Sequence, residues 1–527
     1  MVGRMADSTI TFIVLGSVVV LFVSNRIPVA IIAVGTALSL WATGILELEQ
    51  ATAGFGDPTV LFIAALFVVS ESLDSTGVTA WVGQQVIHRA GDDRSRIVVY
   101  VTVVCALLTA FITPNASVAA LVPVVIVIAV RVALPTSQLM IPLAFAAHAG
   151  SLLALTGSPV SVIVSDAADD AGAGRFGFFE FALVGIPVGV GTIAILLVLG
   201  PRLLPTRTPT ALPSDLTSLE PALRRHYRID GERADRLYGR RYGVAELVVP
   251  PRSALIGRRF RRGMTTDSGE LEVVAVMRGD APVGDDGVDL LTGDVILVRG
   301  TWPALTRQIS SDNDVLSVDA PDAVRRQVVP LGVGAKEALV VLAAMVVLLA
   351  TDAVPPAVAS LLAAGAVIML GIVPIEQAYR SISWTTVVLV AGMFPLSTAM
   401  RETGAAEQLA GRLVDIVGDS GPYALLIGLF VLTAALGQLI SNMATALIVI
   451  PIALSAAAEL DIGAAPVLMC VNVATSAALL TPVATPANLM VMEPGGYHFG
   501  DYWKIGLPIL GWFFVIAVLW VPVVWGF

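Results

Sequence analysis

The sequence predicts an all-α polytopic membrane protein made of an inverted repeat, with a small α/β domain inserted between the two copies. Three observations lead to this fold class. Of the 527 residues, 56% are hydrophobic and 14% are charged, whereas soluble domains contain about 25% charged residues. A polar and basic stretch over residues 205–335 separates two apolar blocks. Those two blocks resemble each other at a nearly constant spacing.

The net charge and the cysteines narrow the class of protein further. A formal charge of −10 at pH 7 argues against a nucleic-acid partner. Cys105 and Cys470 both lie in apolar runs, far apart in the sequence, so we expect no disulfide between them. Apolar runs of near-spanning length, such as Ile27–Ile45 and Ile505–Trp525, point instead to membrane lipid as the surrounding medium.

The two apolar blocks are copies of one another. Residues of the first block recur 327 positions later, namely Thr76-Gly77 as Thr403-Gly404, Asn115 as Asn442 and Pro159 as Pro486. A shared apolar composition produces chance matches of Leu and Val, but it does not keep Asn, Pro and Thr-Gly in register. We therefore predict a true internal repeat.

Each copy contains three spans, one long apolar stretch, one broken span and one last span. The long stretches, Ile97–Val130 and Tyr423–Ser455, are too long for one crossing and short for two, since a crossing needs about 20 residues. Each has a polar point near its middle, at Thr113–Ser117 and at Ser441–Thr445. We expect a re-entrant hairpin in each copy, because non-helical backbone inside a bilayer must line protein or water.

Gly, Pro and hydroxyl residues interrupt one span of each copy. The breaks lie in "LLALTGSPVSVIVSD" (Leu152–Asp166) and in "LLTPVATPANLMVME" (Leu479–Glu493). A broken helix leaves free carbonyls, which suit Na⁺, and free N–H groups at the positive end of a dipole, which suit an anion. Two breaks and two hairpin tips related by a pseudo-twofold axis predict one cavity of a secondary transporter that works by alternating access.

The loop charges predict the orientation. Five crossings per copy is an odd number, so the second copy is inverted relative to the first. Basic residues such as Arg26 and Lys504 fall on one side with the insert, whereas Asp57, Asp166 and Asp352 fall on the other. By the positive-inside rule, we expect a multi-pass plasma (inner) membrane protein with a cytosolic insert and both termini outside.

At the hairpin tips the chain resembles the divalent anion/sodium symporter family, the SLC13-type permeases. The resemblance covers residues 8–204 and 336–527, which we take as membrane repeats 1 and 2. The family carries a Ser-Asn-Thr signature at each tip. Here Pro114-Asn115-Ala116 and Ser441-Asn442-Met443 match that signature at the asparagines.

The breaks also resemble that family, whose motif is Gly or Ala followed by Thr and Pro. The matching stretches are Gly157-Ser158-Pro159 and Ala484-Thr485-Pro486. The resemblance implies Na⁺ as the coupling ion, with Na⁺ sites at Asn115, Gly157, Ser441, Asn442 and Ala484. It implies contacts to a small anionic substrate from Asn115, Ser117, Ser158, Pro159, Asn442, Thr445, Thr485 and Pro486.

The same resemblance leads to an expectation about the substrate. Few hydroxyls flank the tip asparagines, and Ser117 and Thr445 take their place, so we expect a divalent oxyanion, with sulfate favoured over a dicarboxylate. Every Arg is expected in a loop or in the insert. The anion must then be held by dipoles and co-bound Na⁺ rather than by an Arg clamp.

The insert alternates short β-branched strands with turn signals. Residues 242–311 resemble the TrkA C-terminal domain, with marker positions at Leu255-Ile256-Gly257 and Gly293-Asp294. Residues 205–241 and 312–335 are the expected linkers. Two interpretations stay open for this domain: a site for a small regulatory ligand, and a rigid spacer or dimer contact in a homodimer.

Other functions compete with symport. A Na⁺/H⁺ exchanger or an arsenite-type efflux permease belongs to the same superfamily, but proton coupling usually uses an intramembrane carboxylate. A ligand-gated ion channel is suggested by the insert, although no selectivity-filter-like glycine run occurs. An enzyme is not expected, because the sequence has no nucleophile elbow and no Walker loop.

Two single features keep a structural and a functional interpretation. His148, shortly before the first break, is either a hydrogen-bonded packing residue or a residue near the substrate. Gly185, Gly189 and Gly191 in "GIPVGVG" are interpreted as packing glycines rather than as a phosphate loop.

Overall fold

The computed structural model describes residues 7–24, 26–79, 81–82, 93–207, 219–227, 237–239, 242–266, 269–279, 281–283, 287–311, 315–318, 331–417 and 421–527. These residues are mostly helical, with a small sheet region in the middle of the chain. The predicted fold class is confirmed. The chain forms two compact units: Met1–Ser72 with Val82–Leu212 and Glu337–Phe527, and Leu73–Trp81 with Pro213–Lys336.

The first copy of the repeat is a succession of apolar helices and short turns. In chain order the helices are α1 (Asp7–Ser24), α2 (Val29–Ala42), α3 (Leu48–Thr52), α4 (Pro58–Ser75), α5 (Arg94–Thr109), α6 (Pro114–Arg131), α7 (Met140–Gly150), α8 (Pro159–Asp170), α9 (Ala182–Val198) and α10 (Gly200–Leu203). Single 3₁₀ turns lie at Ala53–Gly56, Thr136–Gln138 and Leu155–Gly157.

The insert is a small α/β domain. Helix α11 (Leu219–His226) precedes β1 (Tyr242–Val248), β2 (Arg259–Phe260), β3 (Leu271–Arg278), β4 (Ala281–Val283), β5 (Val288–Asp289), β6 (Val295–Thr301), α12 (Trp302–Ser311) and β7 (Leu316–Ser317). Five strands form an antiparallel sheet in the order β4-β3-β6-β1-β7, and β2 pairs with β5. The sheet buries Val273, Leu297 and Trp302 in a core of its own.

The boundaries predicted for the insert, 242–311, stay a prediction. Strand β1 begins at Tyr242, but β7 lies beyond residue 311, and α11 lies within the predicted linker 205–241. Most of that linker and most of the second one, 312–335, lie outside the described residues.

The second copy follows the insert with the same kinds of element. Its helices are α13 (Ala335–Ala350), α14 (Pro356–Met369), α15 (Ile375–Ser381), α16 (Trp384–Glu402), α17 (Ala405–Val417), α18 (Pro422–Gly437), α19 (Asn442–Glu459), α20 (Ala464–Ser476), α21 (Pro486–Met492), α22 (Tyr502–Val515) and α23 (Val521–Trp525). A π-helical turn, Ile516–Trp520, connects α22 to α23.

Element boundaries repeat at the spacing that the sequence predicts. Helices α2 and α14 begin at residues 29 and 356, α3 and α15 at 48 and 375, and α8 and α21 at 159 and 486, each pair 327 residues apart. Both long apolar stretches form two helices joined at the predicted polar point, α5–α6 and α18–α19. Both predicted breaks separate two helices, α7 from α8 and α20 from α21.

Several helices are long and apolar enough to cross a membrane. Within the described residues these are Asp7–Ser24 (α1), Leu48–Ser75 (α3 to α4), Asn442–Glu459 (α19) and Phe499–Trp525 (which contains α22 and α23). The pair α15–α16, bent by 55°, makes a fifth. Shorter apolar helices of 10–17 residues include α2, α9 and α14, at positions of predicted spans, and α18 and α20, which belong to the predicted hairpin and broken span of the second copy. Helices of that length need a partner segment to reach across about 30 Å of hydrocarbon.

A pair of equivalent glycines allows the last span of each copy, α9 or α22, to pack closely on the broken span of the same copy. A Cβ atom at Gly185 would lie 2.2 Å from the carbonyl oxygen of Leu152, and one at Gly506 would lie 2.2 Å from that of Leu479. The same contact thus occurs in both copies. The packing interpretation holds for Gly185 but is wrong for Gly189, which has no heavy atom within 4 Å of a Cβ position.

Candidate functional site

Each hairpin tip ends in a hydroxyl-capped helix. The Thr113 hydroxyl accepts a hydrogen bond from the Ala116 amide at 3.5 Å, at the start of α6. The Ser441 hydroxyl accepts one from the Ala444 amide at 3.3 Å, at the start of α19. Both caps satisfy N–H groups that a helix start otherwise leaves without a partner.

The cap geometry shifts the pairing of the two tips by one residue. Thr113 corresponds to Ser441, and the proline inside each hairpin helix confirms the 328-residue spacing, since Pro123 corresponds to Pro451. Asn442 is therefore the counterpart of Pro114 rather than of Asn115. The sequence comparison paired the two asparagines because they are identical residues. The structure pairs the two helices by their capping hydroxyls, one residue out of step with the asparagines.

Three buried oxygen atoms at the tips have no partner within the described part of the chain. They are Ser117 Oγ, Thr445 Oγ1 and Asn442 Oδ1. Ser117 and Thr445 are 0% exposed and occupy equivalent positions, 328 residues apart. A buried polar group without a partner costs about 1–3 kcal/mol, so these oxygens are suited to a bound species.

The breaks are built in the same way in both copies. Ser158 caps α8 by accepting from the Val160 amide at 3.2 Å, and Pro159 follows as the first helical residue. Thr485 caps α21 by accepting from the Asn488 amide at 3.3 Å, and Pro486 follows. Proline suits that position because its missing N–H would have no intrahelical partner.

Close backbone contact explains the glycine at the first break. A Cβ atom at Gly157 would lie 2.6 Å from the carbonyl oxygen of Ser151, so a larger residue requires the turn to open. Its counterpart Ala484 is 8% exposed and carries a methyl group. The two breaks are therefore similar in capping but differ in how tightly the turn is folded.

Hydrogen bonds bring tips and breaks together. In the first copy, the Thr156 hydroxyl donates to the Ala110 carbonyl at 2.8 Å. In the second, Gln438 donates to the Ala477 carbonyl at 3.1 Å. Across the copies, the Ala487 amide donates to Asn115 Oδ1 at 3.1 Å. Helix α19 packs against α8 as α6 packs against α21, so each tip meets the broken span of the other copy.

The N–H groups that begin the second broken helix are already used. At the second break, the amides of Ala487 and Asn488 donate to Asn115 and Thr485, and the Leu489 amide donates to the Thr485 carbonyl at 3.2 Å. The prediction that free amides await an anion is therefore wrong at this break, because side-chain caps occupy them. The dipole of the helix remains, and side-chain hydroxyls become the available donors.

His148 joins the first copy to the second break. Its Nε2 lies 3.1 Å from Asn488 Oδ1 and 3.2 Å from Thr485 Oγ1. Asn488 in turn donates to the carbonyls of Ala478 and Thr481, at 2.8 and 3.0 Å. The histidine is 2% exposed. His148 is therefore hydrogen-bonded, as the packing interpretation expects. It also contacts Thr485, a predicted substrate residue, as the functional interpretation expects.

A related contact joins the second copy to the first break. The Ser161 hydroxyl donates to Asn472 Oδ1 at 3.4 Å. Helices α7 and α20 align through Pro142 and Pro466, which makes Asn472 the counterpart of His148. Ser161 is likewise the counterpart of Asn488, 327 residues earlier. The two copies therefore brace each other through one pseudo-symmetric pair of contacts.

Sequence reasoning missed residues that complete the second break. Asn488 and Gln438 satisfy backbone groups on its two sides, and the Thr481 hydroxyl is buried without a partner among the described residues. All three lie within apolar stretches that contain few other polar residues. That contrast in polarity is the signal in the sequence, and these residues lie outside the break motif Ala484-Thr485-Pro486.

A cavity of about 250 Å³ lies between helices α8, α16 and α19. Its lining includes hydroxyls and charged groups at Asp57, Asp166, Asp170, Ser397, Thr398 and Arg401. None of the predicted site residues lines it. The expectation that every Arg lies in a loop or in the insert is wrong for Arg401, which belongs to the last turn of α16. It is also wrong for Arg94, Arg131 and Arg412, which lie within α5, α6 and α17. The cavity therefore combines three carboxylates, two hydroxyls and one guanidinium with an apolar lining.

Comparison with known proteins gives consistent results. The family model described as "Citrate transporter", CitMHS, matches residues 19–469 and 412–527. The "Uncharacterized transporter YfbS" of Escherichia coli (strain K12) is 29% identical over 97% of this chain and 98% of its own. "Sodium/sulfate cotransporter 1" of Chlamydomonas reinhardtii is 26% identical over 52% of this chain and 32% of its own.

A solved structure shares the fold. The YdaH transporter of Alcanivorax borkumensis matches with a TM-score of 0.51 and 13% identity, covering 92% of this chain and 89% of that one. This likeness concerns the fold alone. The family match confirms the predicted membership of the divalent anion/sodium symporter superfamily, and it indicates a transporter rather than an enzyme. With that match over most of its length, the chain belongs to the CitMHS citrate transporter family and is an integral membrane, secondary anion transporter.

Proposed function

We propose that the chain is a Na⁺-coupled symporter of a divalent oxyanion, with sulfate favoured over dicarboxylates, and that it works by alternating access. The observation that carries the proposal is the set of tip oxygens that have no hydrogen-bond partner among the described residues, Ser117 Oγ, Thr445 Oγ1 and Asn442 Oδ1. Na⁺ is a hard cation that takes oxygen ligands. We therefore assign Ser117 and Thr445, which the family resemblance placed at the substrate, to Na⁺ instead. Broken helices and inverted repeats commonly provide such ligands in transporters.

The anion is held next to the Na⁺ ions at the broken helices. The dipoles of α8 and α21 favour negative charge at Ser158 and Thr485. Within the described residues the site contains no Arg or Lys, so co-bound Na⁺ supplies the compensating charge in a medium of low dielectric. The similarity over half of this chain to a protein named as a sodium/sulfate cotransporter supports both the ion and the anion.

The approach to this site is the polar cavity. Arg401 attracts an anion into a cavity whose other charged lining residues are carboxylates, which attract Na⁺. The acidic end of that cavity carries Asp57, Asp166 and Asp170. The loop charges support an extracellular location for this end, with the insert in the cytosol and both termini outside.

The insert is proposed to regulate transport by binding a small ligand, and the protein is proposed to act as a homodimer. The resemblance of the insert to the TrkA C-terminal domain supports the first proposal. Its marker glycines, Gly257 and Gly293, have left-handed backbone conformations with φ of 81° and 85°, which fits the tight turns that the motif requires.

The test is uptake by purified protein in proteoliposomes. We expect labelled sulfate to enter under an inward Na⁺ gradient and not when choline replaces Na⁺. Succinate, citrate and phosphate serve as the competing anions. Ser117→Ala and Thr445→Val should each lower the initial rate at limiting Na⁺ by about tenfold, since each removes one oxygen from the cation.

Thr192→Val is the matched control. Its hydroxyl is also buried and without a partner in the described part of the chain, but it lies on α9 and takes part in none of the tip or break contacts. Its uptake should stay within about twofold of the wild type. Equal uptake of the anions with Na⁺ and with choline would contradict the proposed coupling.

A further inference from the structure

The hydrogen-bond pattern around Asn488 determines which ring nitrogen of His148 carries its proton. The Asn488 side-chain nitrogen faces two carbonyl oxygens, those of Ala478 and Thr481, at 2.8 and 3.0 Å. Both hydrogens of that amide are therefore in use, and a flipped amide would point its oxygen at two other oxygens. Asn488 Oδ1 then accepts from His148 Nε2, which must carry a hydrogen.

That tautomer also determines the role of Thr485. A protonated Nε2 has no in-plane lone pair, so the Thr485 hydroxyl can only accept from it, at 3.2 Å. The same oxygen accepts from the Asn488 amide at 3.3 Å. Both acceptor positions of the Thr485 oxygen are thus occupied, and its own hydrogen remains to be donated.

We infer that His148 is a positioning residue that makes Thr485 a hydrogen-bond donor to the transported anion, and not a ligand of Na⁺. The first turn of α21 has no spare amide, because Asn115, Thr485 Oγ1 and the Thr485 carbonyl occupy those N–H groups. The hydroxyl hydrogen is therefore the donor left at this helix end. This inference rests on the proposed anion transport and names the group that contacts the anion.

The first copy lacks this arrangement. Asn472, the counterpart of His148, contacts Ser161 and not the cap residue Ser158. Among the described residues, the Ser158 hydroxyl accepts one hydrogen bond, from the Val160 amide. It therefore keeps an acceptor position that Thr485 has lost. The two breaks are chemically different although their backbones are similar, and the anion is held more strongly at the second break.

The experiment is a double-mutant cycle on anion uptake in proteoliposomes. Thr485→Val and His148→Ala should each raise the KM for the transported anion by about tenfold, which corresponds to one hydrogen bond to a charged group. The double variant should be no worse than either single one, because both remove the same donor. His148→Asn should recover to within about threefold of the wild type, since an amide N–H replaces Nε2–H.

Asn472→Ala is the control from the other copy, and its KM should stay within about twofold of the wild type. A double variant with the product of the two single effects, about a hundredfold, would show that His148 does not act through Thr485. His148→Asn behaving like His148→Ala would overturn the donor role. If His148→Ala does not fold, His148→Leu replaces it in the cycle, because leucine fills much of the same space without an N–H, and the double variant is again expected to show no further loss.

The failure of this inference is distinguishable from failure of the proposed function. Absence of uptake for sulfate, phosphate, succinate and citrate by the wild type would reject the proposed function alone. The cycle is then measured as melting temperatures of the purified protein, which need no substrate. If the His148 and Thr485 substitutions lower the melting temperature in a non-additive way, the hydrogen bond between the two residues is supported. Additive decreases in melting temperature would overturn it.

Discussion

The buried hydroxyls at the hairpin tips differ from other helical hydroxyls in where their hydrogens go. Thr102, for example, donates back to the Val98 carbonyl at 2.7 Å, the usual solution within a helix. Ser117 and Thr445 are equally buried but make no such bond. A buried Ser or Thr therefore becomes a candidate ion ligand when its hydroxyl makes no hydrogen bond to the backbone of its own helix. The side-chain rotamer determines whether that bond forms.

A second residue-scale feature, the glycine contact between spans, leads to a stability prediction. Gly185→Ala should destabilise the protein by about 1–3 kcal/mol, as overpacking of a tight contact does, because its Cβ would meet the Leu152 carbonyl oxygen at 2.2 Å. The melting temperature of purified protein measures the effect. Gly189→Ala, on the same helix with no atom within 4 Å, is the matched control and should be neutral or slightly stabilising. Equal melting temperatures for the two variants would contradict this packing account.

At this scale the sequence predicted residue types better than residue pairings. Asn115 and Asn442 do lie at the two tips, but they occupy non-equivalent positions and make different contacts. Asn115 Oδ1 accepts from the Ala487 amide, whereas Asn442 Oδ1 has no partner among the described residues. An identical residue at a constant spacing does not reveal a one-residue shift of the helix start, because both asparagines fit the first turn.

Secondary-structure elements were predicted well where proline and hydroxyl residues begin a helix. Pro159 and Pro486 follow the capping residues Ser158 and Thr485 in the structure, as a break motif requires. Helix ends without such markers were less predictable. Strand β7, Leu316–Ser317, was not anticipated, because a two-residue edge strand is defined by its pairing with β1 rather than by its composition.

An ion pair beside strand β6 predicts how the insert responds to acid. Arg278 binds the Asp294 carboxylate through Nε and Nη2, at 2.9 and 2.8 Å, and the Leu291 amide donates to it at 2.9 Å. Burial by itself raises the pKa of Asp294, but these bonds outweigh it and the pKa lies below its ordinary value of 3.8. The stabilisation is therefore present above pH 3.8 and is lost as the pH falls through the folded-state pKa.

Hydrogen exchange of the β6 amides, corrected for intrinsic rates, measures this stability in the full chain. Between pH 5 and pH 3, roughly the range in which carboxylates titrate, β6 should open more easily as acid is added. Asp294→Asn should open about fivefold more easily at neutral pH, a modest effect because Arg278 is 38% exposed and screened by water. The opening of β6 in Asp294→Asn should also change less between pH 5 and pH 3 than it does in the wild type, since asparagine does not titrate. Asp289→Asn, an exposed carboxylate on β5, is the control; an unchanged acid response in Asp294→Asn would contradict the assignment.

On the scale of the whole molecule, the internal repeat explains why one site draws on both ends of the chain. The repeat was predictable, since Thr-Gly and Pro residues recur 327 positions apart, at Thr76-Gly77 and Thr403-Gly404 and at Pro159 and Pro486. The contacts between the copies were not. His148 meets Asn488, 340 residues away in sequence, and Ser161 meets Asn472, 311 residues away. Neither pair shares a motif, so their proximity follows only from how the two copies pack.

The central claim is that Na⁺ and the anion occupy one shared site formed by both copies. Their binding must then be coupled, and the coupling is reciprocal: each increases the affinity for the other. Without Na⁺, the charge of a divalent anion at the broken helices is compensated only by dipoles and hydroxyls, which is insufficient away from water.

Titration calorimetry of the purified full-length protein with sulfate tests that claim most directly. We predict binding heat in NaCl and none in choline chloride at equal ionic strength, with succinate and citrate competing weakly. The Thr445→Val variant, which loses one proposed Na⁺ ligand, should need about tenfold more Na⁺ for the same sulfate affinity. Sulfate binding of equal strength in NaCl and in choline chloride would contradict the shared site.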